Sequence, residues 1–164
     1  SSNLWYIKEI IPKSLIFLFK DFEYDLDCGN IKIISMIVIK NFLIINCTGK
    51  NDKIGLRVNS NFFIHDFQTK ILNNEILVST ILNLTNKHKA KIDKYFTVLI
   101  NNGPGRFSTI RVALAVAKGI EISKSVKLFG FKDADLPSFS LANIDILVKK
   151  NLIEKKLIKP LYLS

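Results

Sequence analysis

A chain of 164 residues with 48% hydrophobic content can form one domain with a core but not two full-sized domains. The net charge of +10 suits a nucleic-acid partner, although an AT-rich codon bias that raises Lys, Asn, Ile and Phe together is the interpretation we favour. The apolar runs fall short of the roughly 20 residues that cross a bilayer and the start lacks a signal-peptide pattern, so we expect a cytoplasmic protein.

Residues 1–35 differ from the rest of the chain in charge. They hold 4 lysines and 5 acidic groups, which leaves 20 basic and 9 acidic groups downstream. The single methionine, Met36, comes directly before a strand pattern. We interpret residues 1–35 as either upstream sequence translated in an open frame or a true extension, and expect the domain to occupy residues 36–164.

Three strand patterns precede the first helix pattern. Residues 37–46 form a nearly continuous apolar run, which predicts a strand buried on both faces. Residues 54–58 and 62–67 follow as two short strands of an antiparallel meander. From Asn74 the period becomes helical over about three turns. The apolar face of this helix is predicted to contain Leu77, Val78, Ile81 and Leu84.

The second half alternates strands and helices. A strand over 95–100 leads into a break at 101–109, and a nearly apolar helix then runs to about Ser123. Ser108 or Thr109 is placed to cap this helix. A strand over 126–131, a helix over 138–150 and a terminal strand over 159–164 complete the prediction. The pattern favours an α/β domain with a mixed sheet and the element order β-β-β-α-β-α-β-α-β.

The break contains two glycines on either side of a proline. Gly103 and Gly105 can adopt positive φ, and Pro104 fixes its own φ. Because a helix N-terminus follows, such a loop can hold an anion. For the tripeptide alone, a tight turn without a ligand is the simpler interpretation.

Residues 103–111 read GPGRFSTIR, and an alanine-rich helix pattern follows them. This stretch closely resembles the signature of the TsaB (YeaZ) family, GPGSFTGLR followed by an alanine-rich helix ending in AKGL. Weaker matches lie at residues 45–48 (family I-D-T-S), 75–77 (H-S-E-x-L) and 160–163 (P-x-YLR), so the resemblance covers 36–164. The motif residues are Gly103, Pro104, Gly105, Arg106, Phe107, Ser108 and Arg111.

This resemblance implies a ribonuclease-H-like domain of the actin-like ATPase superfamily. It implies a non-catalytic subunit that pairs with TsaD and, with the ATPase TsaE, forms threonylcarbamoyladenosine beside the anticodon of ANN-decoding tRNAs. ATP and metal are then expected in the partners and none in this chain. We further expect tRNA contact only through the complex, a possible homodimer and no membrane association.

The chain departs from the family pattern where nucleotide chemistry would need a carboxylate. Asn46 replaces the Asp that ends the first strand, and an amide supplies no negative charge to a metal. His65 and His88 are too far apart for an HxxxH metal pair. Compared with the family pattern, the second half of the domain is also shortened, from about residue 131 onward. These departures count against the first alternative, a nucleotide-binding enzyme of the same superfamily.

The second alternative is a small basic RNA-binding module that uses lysine runs. Its candidates are Lys87, Lys89, Lys91 and Lys94, and Lys149, Lys150, Lys155, Lys156 and Lys159. Neither run contains interleaved aromatic residues that stack on bases, so a solvated face is the simpler interpretation.

The helix after the glycine loop is apolar over more of its surface than packing on one sheet face requires. Its alanines and glycine would permit close approach of another helix. We therefore expect it to dock TsaD or a second copy, together with the preceding helix. The predicted interface residues are Leu77, Ile81, Ala113, Ala115, Ala117 and Gly119.

Overall fold

A computed structural model describes residues 39–68, 73–150, 152–155 and 159–163. The predictions for residues 1–35 and for a domain start at Met36 lie outside this part of the chain. The strands are β1 Phe42–Asn46, β2 Lys53–Val58, β3 Asn61–Asp66, β4 Thr97–Asn101 and β5 Lys127–Phe131. The helices are α1 Asn74–Lys87, α2 Phe107–Lys124 and α3 Leu141–Lys149.

The five strands form one mixed sheet in the order β3-β2-β1-β4-β5. β1, β2 and β3 make the predicted antiparallel meander, whereas β4 and β5 run parallel to β1 and to each other. β1 and β4 lie inside the sheet with helices over both faces. This position explains the apolar runs at 42–45 and 98–100, since side chains on both faces of a doubly covered strand are buried there.

Each face of the sheet has its own hydrophobic core. On one face, Leu43 and Ile100 belong to a cluster that includes side chains of α1 and α2. On the other face, Phe42 and Leu99 pack with Ile144 of α3. The result is a three-layer α/β arrangement, as the alternating pattern of the second half predicts.

The predicted terminal strand needs correction. Of the predicted strand over 159–164 the structure describes residues 159–163. Their only ladder contact is an isolated parallel bridge between Tyr162 and Gly105. Glu154 makes a second isolated bridge, to Gly130 on the edge of β5. The last segment therefore pairs with the loop after β4 instead of adding a strand to the sheet. No helix in the described ranges is both long and apolar enough to cross a membrane.

Candidate functional site

The glycine-containing segment, residues 101–106, is called the GPG loop below. It joins the end of β4 to Phe107, the first residue of α2. Arg106 is the N-cap in an extended conformation, and no side chain caps the helix. The prediction that Ser108 or Thr109 caps α2 is wrong, since both lie inside its first turn. The Arg106 N–H donates to the Thr48 carbonyl over 2.8 Å, and this bond holds Arg106 extended immediately before the helix.

The two glycines of the loop are required by close approach of other backbone segments. Gly103 has φ +103, and a Cβ there would lie 2.7 Å from Ile110 Cδ1 and against the Leu161 carbonyl oxygen. A Cβ on Gly105 would lie 2.6 Å from the Thr48 carbonyl oxygen. The Gly103-Pro104 peptide bond is cis. Packing against the protein itself therefore accounts for both glycines without a ligand.

The C-terminal segment completes the loop through backbone hydrogen bonds. The Leu161 N–H donates to the Asn102 carbonyl over 2.7 Å, and the Leu161 carbonyl accepts from the Gly105 N–H over 3.2 Å. The Leu163 N–H donates to the Gly105 carbonyl over 3.1 Å. The residues of the terminal P-x-YL match thus lie against the GPG loop, which the sequence alone does not indicate.

A small polar cluster lies where β1 and β4 end. The Asn101 amide nitrogen donates to Asn46 Oδ1 over 2.6 Å and to Asp133 Oδ1 over 2.9 Å. Asn101 is fully buried, and its amide oxygen accepts from the Gly103 N–H over 2.9 Å. Asp133, which sequence analysis did not single out, is the one carboxylate in this network. Within the described ranges no group of three or more His, Cys, Asp or Glu side chains could hold a metal ion.

A buried carboxylate supports the turn between β1 and β2. Asp52 Oδ1 accepts from the Gly49 N–H over 2.8 Å, while its other oxygen is buried without a partner among the described residues. Burial raises the pKa of Asp52, and the hydrogen bond from Gly49, the nearby backbone N–H of Thr48 and the charge of Arg106 oppose that rise. The same turn supports Arg106, because the Cβ atom of Arg106 lies close to Gly49.

The motif residues divide into a buried and an exposed group. Gly103 and Gly105 are buried inside the loop contacts. Five residues are exposed around the start of α2: Pro104, Arg106, Phe107, Ser108 and Arg111. The buried group builds the loop, and the exposed group is available to a ligand or partner.

Four of the six predicted interface residues belong to the chain's own core. Leu77, Ile81, Ala113 and Ala117 are each at most 3% exposed and pack between the two helices and the sheet. The interface prediction needs correction at Leu77, Ala113 and Ala117, because the apolar arc of α2 packs on both the sheet and α1, whereas the buried Ile81 still borders the groove described below. Ala115 and Gly119 are exposed, so they remain available to a partner.

An apolar groove of about 430 Å³ lies between α1 and α2 on the outer surface. Val78 and Leu82 of α1 are 41% and 53% exposed there, although the helical pattern assigned Val78 to the buried face. Ala115 and Gly119 line the opposite wall, and the space beside Gly119 is open to at least 4 Å. Further lining residues are Asn74, Ile81, Ile92, Val116, Ile120, Ser123 and Lys124.

The layered mixed sheet is compatible with a YeaZ-like fold. YeaZ from Pseudomonas aeruginosa matches with a TM-score of 0.54 at 15% identity over 59% of this chain and 46% of its own. An uncharacterized protein with similarity to peptidase YeaZ from Pseudomonas aeruginosa matches with the same TM-score and identity over 59% of this chain and 45% of its own. The chain thus spans less than half the length of these proteins. No family model and no curated protein matches the sequence.

Proposed function

We propose that this chain is a non-catalytic TsaB-type subunit that pairs with a TsaD-type catalytic subunit. With a TsaE-type ATPase, the pair would form threonylcarbamoyladenosine next to the anticodon of ANN-decoding tRNAs. The observation that carries the proposal is the exposed apolar groove between α1 and α2 on a chain with a YeaZ-like fold. ATP and metal are assigned to the partners, and tRNA contact is assigned to the complex.

The groove has the composition of a helix-docking surface. Val78 and Leu82 leave about half of their side chains in water, and covering them would contribute roughly 1 kcal/mol each. Ala115 and Gly119 form a low wall because their side chains are small or absent. A partner helix can therefore approach α2 closely and pack its larger side chains into the groove. A second copy of the chain could use the same groove in a homodimer.

The GPG loop supports a structural role for the family motif. Its glycines are explained by contacts with Thr48 and Leu161, and its Arg106 N–H fixes where α2 begins. The loop thereby sets the position of the helix that forms one wall of the groove. A chain that keeps this motif for helix placement needs no nucleotide to account for it, which agrees with a non-catalytic subunit.

The test places one charge in the groove and a matched charge outside it. Ala115→Glu should abolish association with the organism's TsaD-type protein, because a carboxylate would be buried against apolar side chains without a partner. Ile122→Glu is the control, since Ile122 is 82% exposed on the same helix and does not line the groove. Pull-down and sedimentation measure association, and thermal unfolding should show both variants folded.

The two variants give opposite answers about the surface. Retained TsaD binding by a folded Ala115→Glu protein, repeated with Gly119→Glu, would rule out the groove as the interface. Equal loss of binding in the Ile122→Glu control would show that charge anywhere on α2 is sufficient, and would also reject the groove. If association occurs only between identical chains, the homodimer replaces the TsaD pair.

A further inference from the structure

Two exposed aromatic rings and an arginine meet at the start of α2. The ring centroids of Phe107 and Tyr162 lie 4.7 Å apart with their planes inclined by 47°. The guanidinium carbon of Arg111 lies 5.0 Å from the centroid of Phe107. Phe107 is 54% exposed and Tyr162 is 40% exposed. We name these three residues the aromatic platform.

The platform is held by backbone contacts on both sides. Tyr162 is positioned by its bridge to Gly105, and Phe107 is positioned by the Arg106 N–H bond to Thr48 that precedes α2. Arg111 lies one helical turn beyond Phe107, on the same side of α2. The rings of Phe107 and Tyr162 stay exposed to water although burying them would be favourable. A binding role accounts for this exposure better than core packing does.

The surroundings of the platform are positively charged. Arg106 and Arg111 are both exposed. Neither forms an ion pair with any carboxylate among the described residues, although four other basic residues do so. Asp52 lies near Arg106 but is fully buried. The outer surface therefore presents cations beside aromatic rings, on a chain whose net charge is +10.

Beyond the proposed subunit function, in which tRNA is contacted through the complex, we propose that the aromatic platform of this chain itself binds single-stranded RNA. An unpaired base would stack on the exposed rings while Arg111 and Arg106 contact the neighbouring phosphates. Aromatic stacking combined with backbone-tracking cations is the usual basis of sequence-tolerant binding to single strands. The lysine runs lack aromatic residues, and the platform supplies them by bringing together residues that are far apart in the sequence. An acidic protein segment would use the arginines alone and would leave the rings without a role.

The experiment measures binding of the full chain to a labelled single-stranded RNA of mixed sequence, about 12 nucleotides long, by fluorescence anisotropy at several salt concentrations. Tyr162→Ala should raise Kd about 5- to 100-fold, which is the effect expected for losing one stacked base. Tyr162→Trp should retain binding, because indole stacks at least as well. Arg111→Gln should reduce the slope of log K against log salt by about 0.7, as expected for one lost phosphate contact.

Tyr95 offers a matched control. It is 75% exposed with Lys94 at 5.1 Å from its ring, and no second ring stacks on it within the described ranges. Tyr95→Ala should leave RNA affinity unchanged. If Tyr162→Ala fails to fold, Phe107→Leu takes its place with the same expected rise in Kd, and Arg111→Gln is still read from the salt slope.

Three results would overturn the proposal. Unchanged RNA binding by folded platform variants would remove the platform from the site, and an equal loss in Tyr95→Ala would show that any exposed tyrosine suffices. Displacement of the RNA by a polyglutamate peptide whose binding also depends on Tyr162 would indicate an acidic protein partner instead. TsaD pull-down of the same variants keeps the two proposals separate, since the platform does not line the groove.

Discussion

Alanine at Gly103 should strongly destabilise the chain. At φ +103 a side chain costs about 1–2 kcal/mol in backbone strain. The added methyl group would also meet Ile110 Cδ1 at 2.7 Å and the Leu161 carbonyl. Removing this steric overlap requires the C-terminal segment to move, and the movement would weaken its hydrogen bonds to Asn102 and Gly105. Together we expect a loss of about 2–4 kcal/mol in the free energy of unfolding.

The same substitution at Gly119 should have the opposite effect. Gly119 lies within α2, and a Cβ added there would meet nothing within 4 Å. Replacing glycine with alanine inside a helix stabilises it by about 0.5–1 kcal/mol, because the unfolded chain loses conformational freedom. The pair thus compares one chemical change in two environments.

Thermal and denaturant unfolding of the full chain measure both effects. For a chain of this size 1 kcal/mol corresponds to about 2–4 °C in Tm. Gly103→Ala should therefore lower Tm by roughly 5–15 °C, and Gly119→Ala should raise it by about 1–4 °C. Wild-type stability in Gly103→Ala would refute the close-approach argument for the loop. A clear loss in Gly119→Ala would show that the space beside this residue is filled.

Two further predictions concern burial and pH. Leu77→Ala should lower the free energy of unfolding by about 2–5 kcal/mol, because Leu77 is fully buried. Leu82→Ala, at a 53% exposed position, should cost under about 1 kcal/mol and weaken partner association instead. Equal losses for the two variants in denaturant unfolding would contradict this assignment. The pKa of Asp52 is raised in the folded chain, so its contribution to stability is fully present below its unfolded pKa and is lost as pH rises through the folded value. Asn at position 52 does not ionise, so Asp52→Asn should not lose stability as pH rises. The difference in free energy of unfolding between Asp52→Asn and wild type should therefore grow in favour of the variant above about pH 4. A difference that is constant with pH would contradict this prediction.

Local pattern was sufficient to predict most of the elements. The apolar run of β1, the β2 and β3 meander and the nearly apolar α2 all appear in the structure, with bounds shifted by a few residues. Strand and helix periods are properties of neighbouring residues, so they can be recognised without tertiary information. The start of α2 was predicted wrongly because a backbone bond from Arg106 to Thr48 fixes it, and such bonds leave no local signal.

The candidate surfaces depended on contacts between distant parts of the chain. The apolar arc of α2 correctly indicated a helix with more than one neighbour. However, the arc did not show that Ala113 and Ala117 lie in the chain's own core while Ala115 and Gly119 line an open groove. Likewise, Phe107 belonged to the recognised motif, but its ring partner Tyr162 lies in the last segment. Tertiary pairing decides which residues of a pattern reach the surface.

The GPG loop also has a consequence for the order in which the chain folds. Its defining bonds join Arg106 to Thr48 and Gly105 to Leu161, pairs that are widely separated along the chain. The β1–β4 pairing already brings Thr48 and Arg106 together, so a further long closure remains only for the bond from Gly105 to Leu161. Because that closure has its own entropic cost, we expect the C-terminal segment to dock on the loop after the sheet and α2 have formed. The contact between the GPG loop and the C-terminal segment would then be among the last to form and among the first to open transiently, and Tyr162 would leave the ring of Phe107 whenever it opens.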